Sequence, residues 1–384
     1  MKLDIIGFGS IGSALVRLII AYMPDIRIRI FDIQAPLGKE FAYFTNVEMV
    51  CNANYDAVNF NETIICCASW PVTRDVAKIL LLKNNNLENH KTLISICRPD
   101  DGDVEVLAQT LWKDKIKLIL ACGLEPGLTE ILSYYLLHKV DVAYNLNIQC
   151  GGIVIPRPKN LLGYKRLFGT SYLPFATKNC FCIHNGRLIT VPRFSDIKLY
   201  NEPDIGEFET WHDGMQKRLN KHPKLNHSNV CVDQRTIRYP GYADTVNLLQ
   251  KAGILNELPI YNYNKYSAKS LFETLAYDSF SFNPQNEKSI TLLNFNLDGL
   301  QNGHKTNIKL QIKFPDLTQH INSMALATCL PTLFLLLNKK SMLSKNTLQG
   351  IIYPENIFTQ EYIGDLFKYM QTFGIVISES NNKI

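Results

Sequence analysis

The sequence has no hydrophobic run long enough to cross a bilayer. Its most apolar stretch, Met324–Leu337, is too short for a span and is interrupted by Pro331, so it reads as a buried helix. Nor is there an excess of charge of one sign. Forty Lys and Arg stand against 35 Asp and Glu, a net +5 scattered over 384 residues. That argues against the basic face of a nucleic-acid binder. No secretory leader is expected from these residues: Asp4 breaks the apolar start, and no small-residue cleavage site follows an apolar core. There is no repeat, and "LKNNNLENHK" is a short polar loop rather than a low-complexity linker. Ten cysteines, at 51, 66, 67, 97, 122, 150, 180, 182, 231 and 329, do not make a disulfide framework. A chain this long needs no such staples. The thiols are expected to be reduced and packed as small hydrophobes in a cytoplasmic protein.

What is present suits two domains: 384 residues, 46% apolar and 20% charged, enough to bury a core in each. In the first third, "KLDIIGF", "IRIRIFD", "ETIICCAS", "TLISIC" and "IKLILACGL" predict strands. Ile11–Met23, "AKILLLKNN" and "DVEVLAQTLWKD" predict helices between them. Alternation of this kind predicts a parallel, doubly wound sheet. After Gly127 the rhythm changes. A helix from about Leu128 to Lys139 precedes strands in "NLNIQCGGIVI", "CFCIHNGRLITVP" and "DQRTIRYPGY" and a helix in "YADTVNLLQKAGIL". "SITLLNFNLDGLQNGHKTNIKLQIKF" predicts a long hairpin with a Gly- and Asn-rich turn. "TQEYIGDLFKYMQTFG" adds a helix and "IVIS" a short strand. The expectation is an α/β chain in two parts. A Rossmann domain occupies 1–127 and is completed by about 350–384; an α+β domain with a mixed open sheet, for substrate and dimerisation, occupies 128–349.

Gly7, Gly9 and Gly12 form G-x-G-x-x-G between a strand and a helix. Gly7 permits the tight turn, Gly9 lets the backbone approach a pyrophosphate, and Gly12 lets helix and strand pack closely. The helix N-terminus then offers free N–H groups to the phosphates. Phe8, Ser10 and Ile11 complete this cofactor-binding turn. Asp32 ends the second strand, twenty residues past Gly12. A carboxylate there accepts from both ribose hydroxyls of NAD and repels the 2′-phosphate of NADP, so NAD is the expected cofactor and NADP the lesser one. Arg29 and Lys39 lie near enough in sequence to soften that preference. Ser69 and Trp70 follow "TIICCA", where this fold binds ligands, and are placed beside the nicotinamide. A helix cap at Ser69 and a packed Trp70 are compatible with that role.

Four later stretches stand out: "CGLEPGLTEIL" at 122–132, "QCGGIVIPRPKNLLGYK" at 149–165, "TIRYPGYADTVNLLQKAGIL" at 236–255 and "FPDLTQHINSMALATCLPTLF" at 314–334. In them the chain resembles the saccharopine dehydrogenase family, its saccharopine reductase and lysine 6-dehydrogenase members in particular. The family's pattern is Gly-Leu-Asp-Pro-Gly after the last Rossmann strand, then Cys-Gly-Gly-Leu-Pro, Leu-Gly-Tyr-Lys, and Leu-Arg-Tyr-x-Gly before a helix. Order and spacing agree from Lys2 to about Glu355. The resemblance implies NAD(P)-linked oxidation of a nitrogen-bearing carbon in a lysine-derived amino acid. Hydride leaves, an imine forms, and water splits it into an aldehyde and an amine.

Residue by residue, the resemblance implies the following. Glu125 stands at the family's Asp position as the proton-handling group, one methylene longer; the competing role is a solvated turn acid. Cys150 belongs to Cys-Gly-Gly and lines the pocket or packs its strand; a thiol of ordinary pKa makes a poor base. Gly163, Tyr164 and Lys165 match Leu-Gly-Tyr-Lys and receive substrate. Arg238 matches the arginine of Leu-Arg-Tyr and clamps a carboxylate, or is an ordinary strand arginine. His212 is a weaker pocket candidate. The proline of Gly-Gly-Leu-Pro is missing from "GGIVIP". Cys180, Cys182 and His184 share a strand face, but their spacing suits packing better than zinc, so no metal is expected. The implied partner is a small amino acid, with no nucleic acid or membrane and with a second copy of the chain. Glutamate-forming saccharopine oxidation, lysine 6-oxidation and carboxynorspermidine chemistry all stay open, as does a dinucleotide-binding regulator without catalysis.

Overall fold

The computed structural model describes residues 1–33, 45–51, 54–83, 90–109, 116–169, 173–175, 178–260, 263–344 and 350–383. Lys39, the polar loop at 84–89 and the end of the expected third helix (110–115) lie outside the described residues. The chain divides into two compact units, Met1–Leu132 with Ala325–Met370 and Ser133–Met324 with Gln371–Ile384.

The first unit opens with β1 (Lys2–Ile6), α1 (Ser10–Tyr22), β2 (Arg27–Asp32), β3 (Val47–Cys51), β4 (Thr63–Cys66), α2 (Trp70–Leu82), β5 (Lys91–Ser95), α3 (Asp101–Gln109) and β6 (Ile116–Ile119). Neighbouring strands pair in parallel in the order β3-β2-β1-β4-β5-β6. This is the doubly wound order, with its reversal between β1 and β4. Every residue of β4 and β5 is buried, as expected of parallel strands covered on both faces. β3 went unforeseen. It is a short, half-exposed edge strand, VEMVC, whose apolar residues left a signal that went unread.

α4 (Leu128–His138) leads on to β7 (Val142–Ile155), β8 (Cys180–His184), β9 (Arg187–Val191), β10 (Lys198–Glu202), β11 (Gly206–His212), β12 (Cys231–Arg238), α5 (Tyr242–Lys251), β13 (Pro259–Ile260), β14 (Tyr263–Ser267), α6 (Ala268–Leu275), β15 (Lys288–Gln301) and β16 (His304–Pro315). The second unit is built on one mixed sheet: β12 runs parallel to β7, and β15 and β16 are antiparallel. The expected hairpin closes on Asn302 and Gly303, both at positive φ (52° and 78°), as a two-residue turn between twisted strands requires. Trp211, Tyr242, Phe194, Phe175 and Leu162 pack together beside this sheet.

The chain ends with α7 (Ser323–Leu337), α8 (Lys339–Met342), β17 (Gly350–Ile352), α9 (Gln360–Gln371) and β18 (Val376–Lys383). α7 is the buried apolar helix, and it runs through Pro331 instead of stopping there. β17 pairs with β6 in the first sheet. β18, expected with the Rossmann domain, pairs with β16 of the second sheet instead. Its strand signal is local, but the choice of neighbour is made by distant chain. Among the described residues no helix is long and apolar enough to cross a membrane.

Candidate active site

The glycine turn lies where β1 meets α1, at the sheet's reversal. Gly7 donates its N–H to the Phe31 carbonyl (2.8 Å) and has φ +90°. A Cβ on Gly12 would lie 2.0 Å from the Gly7 carbonyl oxygen, so only glycine lets the helix start so close to the strand. A Cβ on Gly9 would meet nothing within 4 Å, which leaves that side of the turn open. Gly9 caps α1 with no side chain bonded to the helix end, and Ser10 and Ile11 form its first turn. Asp32 closes on the turn, its Oδ2 accepting from the Phe8 N–H (2.7 Å). An open glycine, an uncapped helix start and a carboxylate at the end of β2 fit a dinucleotide.

Ser69 caps α2 through its backbone, without a hydroxyl bond to the helix end. Trp70 is buried in the first core, and its indole N–H donates to Asp103 (2.8 Å). Arg29 is committed elsewhere: it holds Asp4 with two bonds of 2.8 and 2.9 Å.

Glu125 projects from the loop after β6. That loop is tied by Gly123 N–H to Pro126 O (3.2 Å), Leu128 N–H to Gly123 O (2.8 Å) and Thr129 N–H to Leu124 O (3.1 Å). Glu130 accepts the Gly127 N–H at 2.6 Å. Gly127 has φ +139°, and a Cβ there would sit 2.2 Å from the Gly123 oxygen. On this closed frame the Glu125 carboxylate is ion-paired with Arg98. Arg98 escaped sequence reasoning. Its signal was available: it follows β5 at the sheet's carboxyl edge, the rule that singled out Ser69 after β4.

In the second unit Cys150 is buried in β7, opposite Thr236 of β12 and Leu293 of β15. A Cβ on the next residue, Gly151, would meet the Ile237 oxygen at 2.3 Å, so glycine lets β12 come close. β12 delivers Arg238, which is only 8% exposed. Its Nη1 donates to the Ile237 carbonyl (2.7 Å). The guanidinium lies 4.9 Å from the Tyr164 ring centre and 5.8 Å from that of Tyr242. Among the described residues its buried Nε has no hydrogen-bond partner and no carboxylate pairs with it. Glu209 is directly opposite in the sheet, yet its two oxygens take the Gly241 and Ala243 N–H groups, each at 2.7 Å. It caps α5 and leaves Arg238 unanswered. Burial pushes the Tyr164 and Tyr242 phenols up, so both keep their protons. Tyr242 stacks on Trp211 (5.2 Å, 7°). Sequence reasoning brought out Tyr164 and Arg238 but missed Tyr242 and Glu209, although Tyr242 ends the same "RYPGY".

Residues 123–375 match the family model for the saccharopine dehydrogenase C-terminal domain. The chain belongs to the saccharopine dehydrogenase family. Residues 2–99 match a model described as NADP oxidoreductase, coenzyme F420-dependent. The structure of apo saccharopine dehydrogenase (L-Glu forming) from Saccharomyces cerevisiae is similar over 99% of both chains, at 14% identity and a TM-score of 0.77. An oxidoreductase from Agrobacterium radiobacter covers 98% of both chains at 10% identity and a TM-score of 0.40. The fold is thus that of a saccharopine dehydrogenase-like NAD(P) oxidoreductase.

The remaining residues implied by the saccharopine dehydrogenase resemblance are engaged in other ways. Gly163 has φ +56°, and a Cβ there would lie 2.9 Å from Arg157 Nε, so Arg157 fills the space beside it. Lys165 donates to the Ser281 carbonyl (3.0 Å) and pairs with Glu287 (3.3 Å). His212 bonds Asp233 through Nδ1 (2.7 Å) and lies 3.6 Å from Asp196 through Nε2. These three could hold a metal by spacing, but Arg235 Nη1 already bridges both carboxylates at 2.9 and 2.7 Å. Burial raises the Cys180 and Cys182 thiols to about 11, as expected of packed cysteines.

Proposed function

We propose that this family member is an NAD-dependent, glutamate-forming saccharopine dehydrogenase. The supporting observation is Arg238: buried, flanked by two tyrosines and without an acidic partner among the described residues. A desolvated guanidinium with no counter-charge costs several kcal/mol. An amino-acid carboxylate removes that cost and fits its two-pronged donors.

NAD, when bound, accepts the hydride from the nitrogen-bearing carbon. Glu125 takes the proton from the amine nitrogen, so that the lone pair can form the C=N bond. Water then adds to that carbon, and the returned proton lets the C–N bond break into an aldehyde and the amine of glutamate. Arg238 holds a substrate carboxylate, and the protonated Tyr164 and Tyr242 shield it from water. Cys150 lines β7 as a packed thiol. Asp32 favours NAD over NADP, and Arg29, spent on Asp4, does not oppose it. Ser69 and Trp70 stay with the cofactor, and Gly163, Lys165 and His212 with the substrate in supporting roles. A cytoplasmic homodimer completes the proposal; a monomeric mass at micromolar concentration would overturn the dimer.

The test follows NADH and NADPH absorbance with saccharopine, lysine, glutamate plus aminoadipate semialdehyde, and polyamines. NADH formed with saccharopine supports the reading. Turnover of lysine alone redirects it to lysine 6-dehydrogenase chemistry. Cofactor binding with no turnover on any of them leaves a dinucleotide-binding regulator.

A further inference from the structure

Arg98 stands three residues beyond β5, at the carboxyl edge of the parallel sheet, where doubly wound folds bind ligands. Its side chain is 42% exposed, and that of its partner Glu125 is 22% exposed. A guanidinium presents a fork of donors that suits both oxygens of a carboxylate at once. Among the described residues only Nη2 bonds, and only to Oε1 of Glu125. The contact is one-pronged. Glu125 stands on a loop closed by its own backbone bonds, so its Cα is fixed in place. A diffusible carboxylate is not tethered there and can approach along the whole fork.

We propose that Arg98 is a carboxylate-exchange residue, which holds Glu125 when no substrate is bound and passes to a substrate carboxylate on binding. The exchange leaves the Glu125 carboxylate to receive the amine proton. This rests on the reading of Glu125 as the proton carrier. It also narrows the substrate class. The substrate carries a carboxylate close to the nitrogen whose proton Glu125 receives.

The test measures glutarate binding to the full-length protein by calorimetry, in a double-mutant cycle of Glu125→Gln and Arg98→Met. Glutamine gives up the ion pair, so Glu125→Gln is expected to bind glutarate about fivefold more tightly, the scale of a half-exposed pair. Arg98→Met binds it more weakly, and the gain disappears in the double variant. Unchanged or weaker binding in Glu125→Gln, or a gain that persists without Arg98, overturns the exchange. Should Arg98→Met fail to fold, Arg98→Lys keeps the charge but not the fork. A gain below twofold in that background supports the proposal, and a full fivefold gain refutes it. Turnover of saccharopine separates the two ideas. Glu125→Gln that binds glutarate more tightly yet retains full turnover removes the proton role and leaves the exchange pair standing. Lost turnover with unchanged glutarate binding does the reverse.

Discussion

Asp4 in the first unit and Arg238 in the second are both charged and both buried, yet their surroundings differ completely. Asp4 receives two bonds from Arg29 (2.8 and 2.9 Å) and two from Asn61 (2.5 and 2.6 Å). Among the described residues Arg238 has the Ile237 carbonyl and the Tyr164 and Tyr242 side chains about it, and no carboxylate. A buried charge whose bonding capacity is filled by its own chain belongs to the frame. One left with an unpartnered donor keeps that donor available to a ligand. His222 shows a third solution. It is buried against Tyr134 and His138, and burial lowers its imidazole to about 4, so it gives up its charge.

The contrast can be broken by mutation. The largest effect is expected from Asp4→Ala, which strands Arg29 and Asn61 and should destabilise the fold by about 3–5 kcal/mol in urea denaturation. A loss below about 1 kcal/mol would mean that the network is ornamental. Arg238→Met should act in the opposite way. Thermal stability stays level or rises, because an unanswered charge is removed, while kcat/KM for an amino-acid substrate falls about 100-fold. A large drop in Tm with ordinary kinetics would make Arg238 structural.

His222 sharpens the comparison through pH. Its folded value is about 4, below the ordinary 6.5. Its contribution is therefore complete above pH 6.5 and is lost as pH falls towards 4, about 2 kcal/mol after solvent screening. His222→Gln should flatten that stretch of the stability profile, and an unchanged acid slope would rule the histidine out. The smallest effect is Asp32→Ala. NAD affinity should fall about tenfold by fluorescence titration, the scale of lost charge-assisted bonds. NADP should gain little, since Arg29 stays on Asp4. Unchanged NAD affinity would sink the cofactor assignment.

Much of the fold was legible. The short β-branched runs and the intervening helical periods appear as β1, β2, β4, β5, β6 and α1 to α3, and Asn302-Gly303 closes the long hairpin. β10 was not, because this short, mostly exposed edge strand is too polar to leave a pattern, and β3 was missed although its VEMVC run is mostly apolar. In the candidate site, Tyr164 and Arg238 were singled out separately from two different segments, and their side chains lie together. Arg98 was overlooked, and the engagement of Lys165 with Glu287 was invisible.

What the sequence determined by itself is whatever depends on near neighbours. The spacing of Gly7, Gly9 and Gly12 dictates a turn that larger residues cannot make, and periodicity dictates strand or helix. Tertiary structure alone decided which charges are spent. Asp4 and Asn61 are 57 residues apart, and Arg98 and Glu125 are 27 apart. The physical reason is range: steric rules act within a few bonds, whereas a buried charge is satisfied by whatever the fold places within about 3 Å.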